Sequence, residues 1–260
     1  MRSALPALLF LLGACTATSG ALIDDAGYDT SDTGDTGDTG DTGDTGEPED
    51  PPLDPMDFPV LLVHGVNGAA ENFDVMVENL VAAGWPEEAL YAYTFDDPSW
   101  GCNLDNAFTI SEWVEDILAE TGQPRINLIA HSMGTLSSRY YIKNLGGTAL
   151  VNTYATLGGM HHGLDSACSP DFPFKPCIWT EICSTGEFVT QLNEPPSTPG
   201  DLHWVSIYGT ADESIPNWSS HLDGAENIEM PGVEHYGPNG LLEDADTFAE
   251  VERVLQYPAW

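Results

Sequence analysis

The sequence predicts an α/β fold with a mostly parallel sheet and helices on both of its faces. The first observation is an alternation: from Phe58 onward, short apolar runs are followed by longer segments with apolar residues at helical spacing. Strands that alternate with helices are typical of parallel sheets joined by helical crossovers. The second observation is that a run such as residues 60–63 is apolar at every position, which indicates a strand buried on both faces.

Six strands and four helices follow from these two patterns. The predicted strands are residues 59–65, 90–95, 125–130, 151–157, 204–208 and 227–230. The predicted helices are residues 72–83, 110–120, 135–145 and 241–255. The apolar faces expected to be buried are Phe73, Val77, Leu80 and Val81 in the first helix, and Ile110, Val114, Ile117 and Leu118 in the second. Because parallel strands end at one edge of a sheet, the functional site is expected at their carboxyl ends.

The charge of the chain is strongly acidic. Its 260 residues include 6 Lys or Arg and 42 Asp or Glu, which gives a net charge of −36. This balance excludes electrostatic nucleic-acid binding, because such a protein needs a basic face toward phosphate. It also argues against a polybasic contact with anionic lipid. A solvated surface that keeps the protein soluble is the simplest interpretation, and a salt-adapted surface is the alternative.

The N-terminal segment has the features of an export signal. Arg2 is followed by an apolar run from Leu5 to Leu12, which is shorter than the roughly 20 residues of a membrane-spanning helix. The run ends in Leu12-Gly13-Ala14-Cys15 and resembles a bacterial lipobox. The resemblance implies removal of residues 1–14 and lipidation of Cys15, which would attach the protein to the outer membrane or cell surface. The alternative is an ordinary signal peptide and a secreted protein.

A repetitive acidic segment follows Cys15. Residues 31–47 repeat Asp-Thr-Gly at a period of three and contain no apolar residue. Such a segment cannot bury enough surface to offset its ordering entropy, and its like charges extend it. Residues 15–57 are therefore expected to form a disordered tether. A calcium site is the alternative, although the repeat lacks the variety of ligands found in calcium loops.

The string Ala130-His131-Ser132-Met133-Gly134 lies between a predicted strand and a predicted helix. This is the context of a nucleophile elbow, in which small residues two positions before and after the serine let its hydroxyl project above the sheet. Ala130 departs from the usual glycine but is the smallest possible change. Ser132 is therefore the candidate nucleophile, and a simple turn serine is the alternative.

A glycine-rich segment, residues 64–69, follows the first predicted strand. In an α/β-hydrolase, one backbone N–H from this loop and one from the residue after the nucleophile form the oxyanion hole. Those groups would be the N–H of Val66 and the N–H of Met133. A glycine-rich turn without a ligand is the alternative.

The remaining candidates follow in the chain order that this fold requires, which is serine, then acid, then histidine. Asp212 directly follows the predicted strand 204–208 and is preferred over its competitors Glu213 and Asp223. His235 follows the predicted strand 227–230 and precedes the last helix, where the general base of this fold belongs.

These segments together resemble the class 2 bacterial triacylglycerol lipases, from about Phe58 to Leu255. The resemblance rests on the segments PVLLVHGVNGA, AHSMG, YYIKNLGG, LGGMHHG, SIYGTADESIP and LDGAENIEMPGVEH. The resemblance implies a minimal α/β-hydrolase fold and hydrolysis of lipid or small esters without a cofactor or a metal. The predicted organisation is a signal peptide at 1–14, a lipidated Cys15 and linker at 15–57, and a monomeric α/β-hydrolase domain at 58–260.

Between His161 and His203 the chain is longer than in the minimal members and resembles the disulfide-bearing insertion of other members. The resemblance suggests that this insertion forms one wall of an acyl pocket. The cysteines available for pairing are Cys102, Cys168, Cys177 and Cys183. An even number in an exported protein implies two disulfides, in any of three connectivities. Zinc binding is the alternative, but the spacing is irregular.

Two other functions remain open at this stage. A short-chain carboxylesterase or an acyltransferase would use the same three residues. A surface binding protein would keep the fold without the reaction, but an incomplete set of active-site residues would be expected in that case.

Overall fold

The computed structural model describes residues 54–169 and 176–258. They belong to one compact unit, Asp50–Trp260. The predicted signal peptide, Cys15 and almost all of the acidic linker lie outside the described residues.

Six strands form a single sheet among the described residues. They are β1 (Val60–Val63), β2 (Leu90–Tyr93), β3 (Ile126–His131), β4 (Val151–Leu157), β5 (His203–Gly209) and β6 (Glu226–Met230). Their order across the sheet is β2-β1-β3-β4-β5-β6, and every neighbouring pair is parallel. Every residue of β1, β3 and β4 is buried. The predicted parallel sheet is therefore confirmed, with all six strands within two residues of their expected positions.

Helices cover both faces of this sheet. They are α1 (Asp74–Ala83), α2 (Asn103–Thr121), α3 (Gly134–Asn144), α4 (Cys177–Glu181), α5 (Glu187–Asn193), α6 (Asn217–Ser220) and α7 (Ala245–Leu255). One core cluster joins α1 and α7 to one face of the sheet, through residues such as Leu80 and Val251. A second cluster joins α2 and α3 to the other face, through residues such as Val114 and Ile142.

Three details of the helices differ from the sequence prediction. Val81 was expected in the core, but its side chain is 40% exposed, and Met76 is buried on that face instead. Helix α2 begins at Asn103, seven residues before its predicted start. Helix α7 begins at Ala245 because Asp244 caps it, accepting a hydrogen bond from the Thr247 N–H, as N-terminal aspartates commonly do.

The insertion between His161 and His203 builds an additional apolar layer at the carboxyl edge of the sheet. Ile178, Ile182, Val189 and Leu192 pack there against Met133 of the predicted elbow. Two disulfides hold this layer: Cys102–Cys177 and Cys168–Cys183. The prediction of two disulfides is confirmed, and the structure selects one of the three connectivities.

None of the helices in the described ranges combines the length and the apolar character needed to cross a membrane.

Candidate active site

Ser132 lies on a sharp turn between β3 and α3. Its φ of 54° is in the left-handed region, which a residue other than glycine adopts only at an energetic cost. Gly134 permits the turn, because a Cβ at this position would collide with the carbonyl oxygens of His64 and Val63. A Cβ on Gly65 would lie 2.7 Å from the Ser132 Cβ. The two glycines therefore let the end of β1 and the elbow approach each other closely.

His235 and Asp212 complete a continuous set of hydrogen bonds from Ser132. The His235 Nε2 atom lies 3.0 Å from the Ser132 Oγ, and its Nδ1 atom lies 2.6 Å from the Asp212 Oδ2. The side chains of His235 and Asp212 are 2% and 0% exposed. The structure thus brings together the three side chains that the sequence predicts, and their arrangement suits proton transfer from a serine hydroxyl to a histidine held by a carboxylate.

The two competing acids lie elsewhere. Glu213 is exposed, and the Asp223 carboxylate lies 3.7 Å from His221 in an exposed pair. Backbone N–H groups of Ser214 and Ile215 donate to the Asp212 Oδ1 at 2.8 and 2.7 Å. These bonds orient Asp212 so that its other oxygen faces His235.

The histidines near Ser132 in sequence have other partners. The His64 Nδ1 lies 2.7 Å from the Gly65 carbonyl oxygen, and its Nε2 accepts a hydrogen bond from the Phe95 N–H. Burial and the neighbouring His235 lower the pKa of His131 to about 3. The ring of His131 lies 4.6 Å from the ring of His235, measured between centroids. His131 is therefore a neutral ring beside His235 at ordinary pH.

Val66 and Met133 both line a cavity that also contains Ser132. A Cβ on Gly65 would lie 3.3 Å from the Met133 backbone nitrogen, so the loop carrying Val66 lies directly beside the N–H that follows the serine. This is the place where an oxyanion hole requires its donors.

The cavity beside Ser132 is mainly apolar and has a volume of about 340 Å³. One wall comes from the insertion, through Leu164, Ile178, Trp179 and Ile182. The rest of the lining includes Trp100, Ile215 and Tyr236. An apolar cavity that opens onto a nucleophile and two N–H donors suits an acyl chain with its carbonyl carbon at Ser132.

Among the described residues, no group of three or more His, Cys, Asp or Glu side chains is arranged to hold a metal ion.

A family model described as lipase (class 2) matches residues 57–254, which is most of the chain. The chain belongs to the class 2 lipase family. The elbow, the predicted oxyanion loop and the insertion of this chain all lie within the matched residues.

Solved structures share the fold of this class 2 lipase family member at low sequence identity. Aspergillus fumigatus lipase B superposes with a TM-score of 0.64 at 15% identity, over 78% of this chain and 53% of that chain. The chain thus spans about half the length of the fungal protein. Bacillus licheniformis lipase BlEst2 in its mature form superposes with a TM-score of 0.62 at 17% identity, over 81% of this chain and 96% of that chain. Phospholipase PlaB of Legionella pneumophila superposes with a TM-score of 0.62 at 16% identity, over 78% of this chain and 60% of that chain.

The sequence did not predict every residue that lines the candidate site. Tyr236 lines the cavity and its ring lies 4.3 Å from that of His235, and its position directly after His235 was the available signal. Trp100 and Trp179 also line the cavity. Nothing in the sequence connects these two tryptophans, because Trp100 precedes α2 and Trp179 lies in α4, two segments that are distant in sequence and are joined by the Cys102–Cys177 disulfide.

Proposed function

We propose that this protein is a serine hydrolase that cleaves carboxylic esters of lipids through Ser132, His235 and Asp212. The observation that carries the proposal is the connection from the Ser132 Oγ to the His235 Nε2 and from the His235 Nδ1 to the Asp212 Oδ2, at 3.0 and 2.6 Å. Membership of the class 2 lipase family supports the same reaction class.

In the first half of the reaction, His235 takes the hydroxyl proton of Ser132 while the Oγ attacks the ester carbonyl carbon. Asp212 keeps the Nδ1 proton on His235 and stabilises the imidazolium that forms. The N–H groups of Val66 and Met133 stabilise the oxyanion. His235 then returns its proton to the alcohol oxygen, the bond from carbon to that oxygen breaks, and an acyl-serine remains.

Water releases the acid in the second half. His235 takes a proton from water, the hydroxide attacks the acyl carbon, and the same N–H groups stabilise the second oxyanion. Collapse of this intermediate returns the proton to Ser132 and frees the carboxylic acid. Each step uses only protein side chains, backbone N–H groups and water.

Labelling with a fluorophosphonate tests this proposal against a surface binding protein of the same fold. We expect the folded protein to form a covalent adduct, and mass spectrometry of its peptides should find the added mass on the peptide that contains Ser132. Heat-unfolded protein and the Ser132→Ala variant serve as controls and should not be labelled. Absence of labelling in the folded wild type, or an adduct on another residue, would contradict the proposed nucleophile.

The size of the cavity supports a short or medium acyl chain. Its volume of about 340 Å³ lies near the lower end of the roughly 300–1,000 Å³ found for ligand pockets. The small volume favours the alternative that the sequence left open, a carboxylesterase that prefers short acyl chains, over a lipase restricted to long acyl chains. We expect kcat/KM on p-nitrophenyl esters to be highest for short or medium acyl chains. A monotonic rise toward palmitate would contradict this substrate range.

We also propose that a lipid on Cys15 holds the enzyme at the cell envelope. The sequence Leu12-Gly13-Ala14-Cys15 at the end of an apolar run supports this, and the acidic segment behind it supports the role of a spacer. Expression of the full chain and of Cys15→Ala in a lipoprotein-processing host tests the anchor. The wild type should partition with membranes and the variant should not; equal partitioning would contradict the proposal, while leaving the catalytic proposal untouched.

A further inference from the structure

Tyr236 lies at the centre of the candidate active site, although the reaction described above does not use it. Its ring stands edge-on to His235, with centroids 4.3 Å apart and planes at 87°. It also meets the ring of His131 edge-on, at 5.3 Å and 73°. The side chain is 52% exposed, so a substrate can reach it.

The position of Tyr236 is fixed by the loop that carries it. The Glu234 N–H donates to the Asn239 carbonyl oxygen, and the Leu241 N–H donates to the Glu234 carbonyl oxygen, which closes the loop on itself. A Cβ on Gly240 would lie 2.5 Å from the Tyr236 carbonyl carbon. Gly240 therefore lets the returning chain lie directly against Tyr236, and the tyrosine is held between this turn and His235.

Tyr236 and Ser132 line the same apolar cavity, and the Tyr236 ring packs against His235, whose Nε2 lies 3.0 Å from the Ser132 Oγ. The tyrosine therefore borders the space in which an ester would meet Ser132. Val66 and Met133, the proposed oxyanion donors, line the apolar cavity. They are absent from the lining of a second cavity, which His235 also lines.

This second cavity has a volume of about 220 Å³, and its polar lining includes Glu213, Ser214, Glu234 and His235. Tyr236 lines both this cavity and the apolar cavity, so it lies where they meet. An ester with its acyl chain in the apolar cavity would direct its alcohol part past His235 and Tyr236. The phenol would then face the oxygen that leaves.

We propose that Tyr236 is a further catalytic residue, whose hydroxyl donates a hydrogen bond to the departing alcohol oxygen during formation of the acyl-enzyme. This inference rests on the proposed serine hydrolase function. His235 supplies the proton that the alcohol oxygen keeps, and Tyr236 retains its own proton throughout. The hydrogen bond stabilises the negative charge that develops on the oxygen as its bond to carbon breaks.

The ionisation of Tyr236 is compatible with this role. Burial raises the pKa of the Tyr236 hydroxyl above its ordinary value, and the interaction with Ser132 only partly offsets this effect. The group therefore keeps its proton at neutral pH and remains a hydrogen-bond donor.

The Tyr236→Phe variant tests the inference with two esters of one acid, ethyl butyrate and p-nitrophenyl butyrate. An alkoxide leaves with difficulty and gains from a donor, whereas p-nitrophenolate leaves easily. We expect kcat/KM of the variant to fall by about 10- to 100-fold on the ethyl ester, and by less than about 3-fold on the p-nitrophenyl ester. A residue that only supports the fold would lower both values by the same factor.

Tyr91→Phe is the matched control. It removes a phenol hydroxyl from a cavity that also contains Pro59 and Gln123, at the amino-terminal ends of the strands, and should leave both values near wild type. The inference is overturned if the wild type hydrolyses both esters but Tyr236→Phe loses the same factor in kcat/KM on the two, or loses nothing on either. If the wild type hydrolyses neither ester, the proposed function fails and this inference fails with it.

Discussion

Asp212 is held at both of its carboxylate oxygens. The backbone N–H groups of Ser214 and Ile215 bind one oxygen, and His235 binds the other at 2.6 Å. With its side chain fully buried, this carboxylate has a single orientation, and that orientation selects which nitrogen of His235 carries the proton. The free Nε2 atom then faces Ser132.

Replacing Asp212 with Asn should lower kcat by a factor on the order of 10⁴, because the amide favours the wrong histidine tautomer and cannot stabilise the imidazolium. Steady-state hydrolysis of p-nitrophenyl butyrate measures the effect. Asp223→Asn is the matched control, since it neutralises a competing acid that pairs with His221 rather than His235, and it should remain close to wild type. A comparable loss in this control would show that the acid is misidentified.

At the scale of single elements, the short helix α4 is joined to the start of α2 at two points. The Cys102–Cys177 disulfide links residues 75 positions apart. The Glu181 carboxylate accepts a hydrogen bond from the Asn103 N–H, the first residue of α2. Cys102 precedes α2 but provides no side-chain cap, so Glu181 supplies the acceptor, and its charge complements the positive end of the helix dipole.

Glu181→Ala should therefore lower the free energy of unfolding by about 1 kcal/mol, the usual effect of losing a helix cap. Glu181→Gln keeps an acceptor oxygen but not the charge, and should lose less. Glu115→Ala, an exposed change in the middle of the same helix, is the control and should have a small effect. Urea unfolding at neutral pH gives all three values. Equal stability of Glu181→Ala and the wild type would contradict the capping role.

The sequence predicted the elements whose periodicity is local. The strands and the elbow at Ser132 could be located because apolar runs and small residues specify them over a few positions. The start of α2 at Asn103 could not, because its cap comes from Glu181, 78 residues away. The pairing of the four cysteines, the wall formed by Ile178 and the place of Tyr236 depend in the same way on contacts between distant segments.

At the scale of the whole molecule, two of the buried histidines have strongly lowered pKa values. His131 has its pKa lowered to about 3, chiefly by burial. His161 has its pKa lowered well below the ordinary value by burial and by the neighbouring Arg139 guanidinium. Both are protonated more readily in the unfolded chain. The stability that depends on them is complete above the ordinary histidine pKa of about 6.5 and decreases as the pH falls below it.

The free energy of unfolding should therefore fall between pH 7 and pH 5. Each of the two histidines contributes up to about 1.4 kcal/mol per pH unit below its unfolded pKa. Urea denaturation across this range measures the slope of the unfolding free energy against pH. The His161→Gln variant should take up about one proton fewer on unfolding, so its slope should be smaller than that of the wild type, whatever the variant's stability at pH 7. An identical slope in the variant and the wild type would show that His161 is not held neutral in the fold.

The central claim is that Ser132 attacks the ester carbonyl. The most direct test is kcat/KM of Ser132→Ala on p-nitrophenyl butyrate, with circular dichroism and thermal unfolding to confirm that the variant is folded. Loss of the nucleophile should lower the value by a factor on the order of thousands or more. Hydrolysis near the wild-type rate by a folded Ser132→Ala protein would contradict the claim.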